Sequence, residues 1–246
     1  MSARASIIIP TFNGLDLLQR CVESVRFHTA DVPYELIVAD NASTDGTAEW
    51  CLQQKIPFVS LPRNEGFPTA CNLGLRLSQG ETLVLLNNDT VVTPRWLANL
   101  SEALYSAPDI GMVGPVTNYA SGAQKVDYPF DNLAEFQTIA GQVNRSDPSK
   151  WAASNRIVGF CLVFRRQLME RIGLLDERFN PGHYEDDDYC FRAREQGFRL
   201  LICHDALIYH EGSVSFRRDP DAQKQLVERN YRRFMEKWKQ DPRAFV

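Results

Sequence analysis

Several absences narrow the reading of this chain before any motif is considered. No stretch approaches the roughly 20 apolar residues that a membrane-spanning helix needs. The only apolar run near the start, Ile7-Ile8-Ile9, is closed by Pro10, so no secretory leader is expected. Positive charge is not in excess: 27 Lys and Arg against 31 Asp and Glu give a net charge of -4, which supplies no global field for nucleic acid. The six cysteines (Cys21, Cys51, Cys71, Cys161, Cys190, Cys203) include no CxxC pair and are expected to be reduced and packed, as in a cytoplasmic protein. Neither G-x-G-x-x-G nor G-x-x-x-x-G-K-[ST] occurs, so a phosphate group would be met by a metal or by basic side chains such as Arg63. No Ser/His/Asp or Cys/His set has recognisable flanks, and there is no internal repeat.

What is present is a strand–helix alternation. Short apolar runs at 6–10, 34–40, 58–61, 82–86 and 110–115 read as strands, separated by helical patterns at 15–25, 48–54, 69–77 and 94–105. Alternation at a spacing of about 25 residues means βαβ units, hence an α/β fold with a Rossmann-like, mostly parallel sheet flanked by helices, in one domain. Right-handed crossovers bring the loops after the strands to one edge, where Thr11, Asp40, Asn64 and Asp89 would converge on a cleft. Beyond Pro115 the alternation fails. Residues 117–150 are polar, with one weak helix at 133–139, and are expected to form an excursion over the cleft. A strand at 157–164, a short helix at 167–172, a helix at 189–196, strands at 200–202 and 206–210 and a last helix at 219–239 complete the reading.

Two acidic centres stand out. Leu83-Val84-Leu85-Leu86 runs into Asn87-Asn88-Asp89, which places a carboxylate at the mouth of a buried strand; the competing reading is a simple turn. Glu185-Asp186-Asp187-Asp188 are four adjacent acids ahead of a helix. One of them fits a general base, whereas the plainer reading is a solvated loop favoured by the helix dipole. His210 ends an apolar strand and is either a packing residue or a metal ligand; with Asp89 it could hold a hard divalent cation, phosphate oxygens and water completing the shell. Asp40 could accept hydrogen bonds from a nucleotide or could cap the next helix.

Five segments, Ile7-Ile8-Ile9-Pro10-Thr11-Phe12-Asn13, Val38-Ala39-Asp40-Asn41-Ala42-Ser43-Thr44-Asp45-Gly46-Thr47, Asn64-Glu65-Gly66-Phe67 with Asn72, Asn87-Asn88-Asp89, and Tyr184-Glu185-Asp186-Asp187-Asp188, resemble in kind and order those of family 2 glycosyltransferases. The likeness spans nearly the whole chain and points within that family to a rhamnosyltransferase-like branch. It implies the GT-A fold and an inverting transfer from a UDP- or dTDP-sugar to a saccharide, lipid-linked or protein acceptor, in bacterial surface polysaccharide or glycan synthesis. It implies that Thr11, Asn13, Asp40, Arg63, Asn64, Asn72 and Asn88 contact the donor, and that Asp89 and His210 hold Mn2+ or Mg2+. By the same likeness Asp186 is the base with Glu185 beside it, and Asp188 caps the helix. Asn87 stands where an aspartate is usual in the family's Asp-x-Asp motif. Residues 1–116 would be the donor half and 117–246 the acceptor and catalytic half.

Two other readings compete. A sugar-1-phosphate nucleotidyltransferase would carry a Gly-rich loop after the first strand, where Pro10-Thr11-Phe12-Asn13 stands instead. A non-catalytic glycan- or nucleotide-sugar-binding module would be expected to lose acids that are present here. The last helix, with Arg217, Arg218, Lys224, Arg229, Arg232, Arg233, Lys237 and Lys239 beside Leu226, Phe234 and Trp238, either touches an anionic membrane peripherally or packs on the fold.

Overall fold

Two strands without a charged residue set the middle of the fold in the computed structural model, which describes residues 4–212 and 220–245. Strands β1 (Ala5–Thr11) and β4 (Thr82–Leu86) are buried at every position and run parallel, Ile7 beside Val84 and Ile8 beside Leu85. Successive side chains point to opposite faces, so Ile7, Ile9, Val84 and Leu86 enter one core while Ile8, Leu83 and Leu85 enter the other. Both faces are covered by helices, which is why these strands are unbroken apolar runs rather than alternating ones. Each such side chain contributes about 1.5–3 kcal/mol when fully buried.

The first core is covered by α1 (Leu15–His28), α2 (Thr47–Gln53) and α4 (Trp96–Tyr105), which supply Leu18, Cys51 and Trp96 among others. The second is covered by α3 (Phe67–Leu77), α5 (Leu133–Val143), α6 (Arg166–Ile172) and α7 (Glu185–Glu195). Helix α3 rests directly on β1: a Cβ on Gly74 would lie 2.3 Å from Ile8 Cγ2, so only glycine permits this approach. Asp45 organises the first loops. Its Oδ2 accepts the Leu15 N–H at the start of α1 and its Oδ1 accepts the Thr47 hydroxyl at the start of α2.

Among the described residues the sheet has nine strands. Its order is β3 (Phe58–Ser60), β2 (Tyr34–Asp40), β1, β4, β8 (Cys161–Arg165), β6 (Ile110–Thr117) and β9 (Arg199–His210), with β5 (Thr90–Val91) and β7 (Trp151–Ser154) both paired to β9. Strands β3, β2, β1, β4, β6 and β9 share one direction; β8 runs against both its neighbours. The mostly parallel α/β architecture is therefore as read from the sequence. The reversal of β8 has a consequence for the site: the edge that receives the carboxyl ends of the parallel strands also receives the amino end of β8, and Asn87 N–H donates to the Phe160 carbonyl there.

Several details differ from the sequence reading. β8 starts at Cys161 rather than at residue 157, and β5 and β7 are too short to show a periodicity. The strands expected at 200–202 and 206–210 are one strand, β9, interrupted by a bulge: Pro115 and Val116 are adjacent in β6, but their partners are Cys203 and Leu207. Residues 117–150 are only in part an excursion: 118–121 border the cleft, and the rest is anchored to the fold. Helix α5 buries Phe136 and Ala140 in the second core, and Asn144 Nδ2 donates to Thr93 Oγ1 and the Pro94 carbonyl.

The last helix, α8 (Pro220–Trp238), packs on the fold. Phe234 is fully buried against Phe179 and Phe191, and Trp238 lies 4.5 Å from the Phe191 ring. Its cations turn inward or pair locally: Arg229 donates to the Asn180 carbonyl, Arg233 to the Arg178 carbonyl, Lys237 reaches Asp176 and Asp188, and Arg232 pairs with Glu228. Peripheral membrane contact through this helix finds no support. Arg217, Arg218 and Asp219 lie outside the described residues. No helix among the described residues is long and apolar enough to cross a membrane.

Candidate active site

The corner that holds Asp89 and His210 is built by a two-residue ladder. Thr90 and Val91 pair antiparallel with His210 and Tyr209, and the Glu211 N–H donates to the Asp89 carbonyl. This fixes Asp89 beside His210, with Oδ1 and Nε2 3.2 Å apart. The imidazole is held from every side. Its ring stacks on Phe160 at 5.2 Å and meets Tyr119 edge-on, and Nδ1 lies 2.7 Å from the Tyr119 carbonyl. A carbonyl only accepts, so Nδ1–H donates to it, and Nε2 is the ring nitrogen that faces Asp89. Asn118 fixes the backbone beneath the ring, accepting from the His210 N–H and donating to its carbonyl.

Asp89 Oδ1 and Asn87 Oδ1 are both buried with no hydrogen bond. A carboxylate oxygen beside an imidazole nitrogen is a donor set that suits a hard or borderline divalent cation. No group of three or more His, Cys, Asp or Glu is placed to hold a metal ion among the described residues.

The other side of the cleft lies at the ends of β1 and β2, where Thr11 and Asp40 are register partners. Asn88 Nδ2 donates to Thr11 Oγ1 at 2.9 Å, joining this side to the Asp89–His210 corner. Asn13 sits at φ 47° and accepts from the Thr44 N–H, while its own N–H donates to Ser43 Oγ. Asp40 is 2% exposed, and its oxygens accept from the Ser43 N–H and the Ser60 hydroxyl, so it closes a turn rather than capping a helix. Asn64 accepts from Asn41 Nδ2 and the Gly66 N–H. Gly66, at φ 96°, is a position where a Cβ would fall 2.6 Å from Asn180 Oδ1, so this turn abuts the loop that leads to the acids. Arg63 is 80% exposed and rests on Glu65, an exposed pair of the kind worth about 0–1 kcal/mol.

Asn72 departs from expectation. It is buried, its Nδ2 donates to the Leu175 carbonyl and Glu177, and its Oδ1 accepts the Leu175 N–H. It borders a groove of about 500 Å³ with Arg76, Asp176 and Lys237, which shares no residue with the Thr11–Asp40 side. Its amide is a strut between α3 and the chain before α7.

The four acids are buried in the first turn of α7, not carried on a solvated turn before it. Tyr184 precedes them at φ 72°, and the helix dipole favours negative charge at this end. Asp186 Oδ2 accepts the Gly159 N–H at 2.8 Å and Oδ1 accepts the Asp187 N–H. Gly159 precedes Phe160, the ring stacked on His210, so one dipeptide joins the Asp186 carboxylate to the Asp89–His210 corner. Arg156 lies 2.8 Å from Asp187 and 3.8 Å from Asp186, and Nη1 donates to Ser121. Glu185 points inward, near Cys71 of α3, with a buried Oε2 lacking a hydrogen bond. Asp188 is no cap: it is fully buried and accepts from Arg192, Lys237 and Trp238 Nε1.

One arginine cannot neutralise three buried acids. Burial, then the charge of Asp186, pushes Glu185 well above the usual carboxylate range and Asp187 up to about 8. Both therefore bind protons at neutral pH that the unfolded chain releases. With its folded value raised, the stability Asp187 contributes is complete below about pH 4 and is lost as the pH rises through about 8. Stability should fall between about pH 5 and about pH 7, by up to about 1.4 kcal/mol per pH unit for Asp187 alone. Urea unfolding of Asp187→Asn across this window should give a visibly flatter slope; a slope equal to wild type would remove Asp187 as its source.

Arg156, Gly159, Phe160, Asn118 and Tyr119 were not legible as site residues. They lie on loops between elements, with no periodic pattern, and only the reversed strand β8 brings 156–160 to the cleft.

Comparison with known proteins places this geometry. Residues 6–173 match the model of "Glycosyl transferase family 2". The "O-antigen biosynthesis protein RfbC" of Myxococcus xanthus is 28% identical over 248 residues, covering 93% of this chain and 19% of that protein. The chain also spans only 24% of another curated relative of the same identity. Among solved structures, a mannosyltransferase from Pyrobaculum calidifontis in complex with GDP-Man and Mn2+ superposes with a TM-score of 0.67 at 22% identity, over 92% of this chain and 61% of that one. GalNAc-T7 with UDP, GalNAc and Mn2+ gives 0.72 at 18% identity, over 98% and 50%. The fold shared with these is GT-A.

Proposed function

This chain belongs to glycosyl transferase family 2, and from that footing we propose that it transfers a sugar, with inversion, from a UDP- or dTDP-linked donor to a hydroxyl of a glycan, lipid-linked or protein acceptor. The observation that carries this reading is the Gly159-Phe160 dipeptide, whose N–H holds Asp186 and whose ring holds His210 opposite Asp89. A base and a diphosphate anchor thus share one short rigid segment, as a single displacement at one anomeric carbon requires.

Asp186 takes the acceptor hydroxyl proton as the oxygen bonds to the anomeric carbon; the bond from that carbon to phosphate oxygen breaks, and its electron pair leaves with the nucleoside diphosphate. No covalent intermediate is needed, which accords with the missing nucleophile motif. Asp89 and His210 would hold a divalent cation, Mn2+ or Mg2+, whose chemistry here is neutralising charge on the departing diphosphate. Thr11, Asn13, Asp40, Asn64 and Asn88 line the donor side, residues 1–116 forming the donor half. Asn87 in place of the usual aspartate supports the rhamnosyltransferase-like branch, and the likeness to an O-antigen biosynthesis protein supports a role in bacterial surface glycan synthesis.

A thermal-shift panel of UDP-, dTDP- and GDP-sugars with and without Mn2+ tests the reading. A ligand at about 100 times its Kd stabilises by about 2.7 kcal/mol, or roughly 5–10 °C for a chain of this size. The expected result is such a rise for one donor class, larger with Mn2+. If no nucleotide sugar raises the Tm and none is hydrolysed, the reading is wrong.

A further inference from the structure

Helix α8 does more than cover an apolar patch, and Asn230 is its centre. Asn230 is fully buried, and its Nδ2 donates to the carbonyls of Phe179 at 2.7 Å, Gly182 at 2.8 Å and His183 at 3.1 Å. The amide orientation is dictated by the other side, where Arg229 and Arg233 donate to Oδ1. Three carbonyls of the loop that delivers α7 are thus gathered on one side chain. The same helix grips α7 beyond the turn as well, since Lys237 Nζ and Trp238 Nε1 both reach Asp188 Oδ1. Asp186 lies between these two points of attachment. From the opposite side the Gly159 N–H and Arg156 steady it.

We propose that Asn230 is a positioning residue for transfer: by fixing the 179–183 loop it sets the rotation of the first turn of α7 and so aims Asp186 at the acceptor hydroxyl. The proposal rests on the reading of Asp186 as the base. A misplacement on the order of 1 Å at a reacting group costs up to about 100-fold, while the donor contacts on β1, β2 and β4 are untouched. Asn230 should therefore act on turnover and not on donor binding.

The experiment compares wild type, Asn230→Ala and Asp186→Asn, using the nucleotide sugar that stabilises wild type most. Asn230→Ala is expected to lower kcat by about 10–100-fold, to bind UDP or dTDP with Mn2+ within about twofold of wild type by calorimetry, and to speed amide exchange across 179–188. Unchanged kcat overturns the proposal. So does a parallel fall of kcat and nucleotide affinity, which marks general damage. Should Asn230→Ala fail to fold, Trp238→Phe, which loses the N–H to Asp188 and keeps an aromatic ring, is read by the same criteria. Wild-type turnover in Asp186→Asn sinks the assignment of the base instead; an inactive Asp186→Asn beside a fully active Asn230→Ala sinks the positioning role alone.

Discussion

Asp186→Asn is expected to bind nucleoside diphosphate with Mn2+ as wild type does and to lose about 10²–10⁴-fold in kcat, or about 3–5 kcal/mol of transition-state stabilisation. The carboxamide keeps the shape and can still accept the Gly159 N–H, but it cannot take the acceptor proton. The variant also removes one of three acids crowded around Arg156, so it should be at least as stable as wild type at neutral pH. That combination separates a missing base from a damaged fold, and single-turnover kinetics beside a melting curve measures both. Turnover near the wild-type rate would place the base elsewhere.

Asp188→Ala should do the opposite, with its main effect on stability. Asp188 is fully buried and receives Arg192 at 2.9 Å, Lys237 at 2.5 Å and Trp238 Nε1 at 2.8 Å. Arg192 and Lys237 are themselves only 15% and 18% exposed. Removing the shared acceptor leaves two shielded cations short of a partner, a loss of about 3–5 kcal/mol and hence about 10 °C in Tm. A helix-terminal charge bonus alone would be worth only about 0.3–1 kcal/mol. Thermal denaturation therefore distinguishes the two roles: a shift of one or two degrees would return Asp188 to the part of a simple N-terminal acid.

The parts of the fold that could be read in advance are those where local pattern and tertiary environment agree. Ile7-Ile8-Ile9 and Leu83–Leu86 are continuous because both faces are covered, and Asp40 and Asp89 mark the strand ends because polar groups collect at the open edge. The unread parts depend on long-range pairing. The bulge at 204–206 looked like a gap between two strands, and β5 owes its two residues to the distant His210. The family resemblance placed Asn72 on the donor, yet its amide meets Leu175, 103 positions away. The burial of the acids could not be foreseen either, since composition alone makes four adjacent carboxylates look solvated.

Strand β8 carries one more consequence, for the order in which the chain can assemble. Strands β1 to β4 need only residues up to Leu86, but the far edge of β4 gains its partner only at Cys161–Arg165. A chain emerging from the ribosome therefore leaves Leu83-Val84-Leu85-Leu86 with one row of unpaired backbone groups through several seconds of synthesis. An apolar edge of this kind is a template for pairing with a second chain. The arrangement that delivers Gly159 and Phe160 to the cleft thus ties completion of the sheet to slow, non-local closure. Crowding and temperature during synthesis bear on that open edge before any site exists.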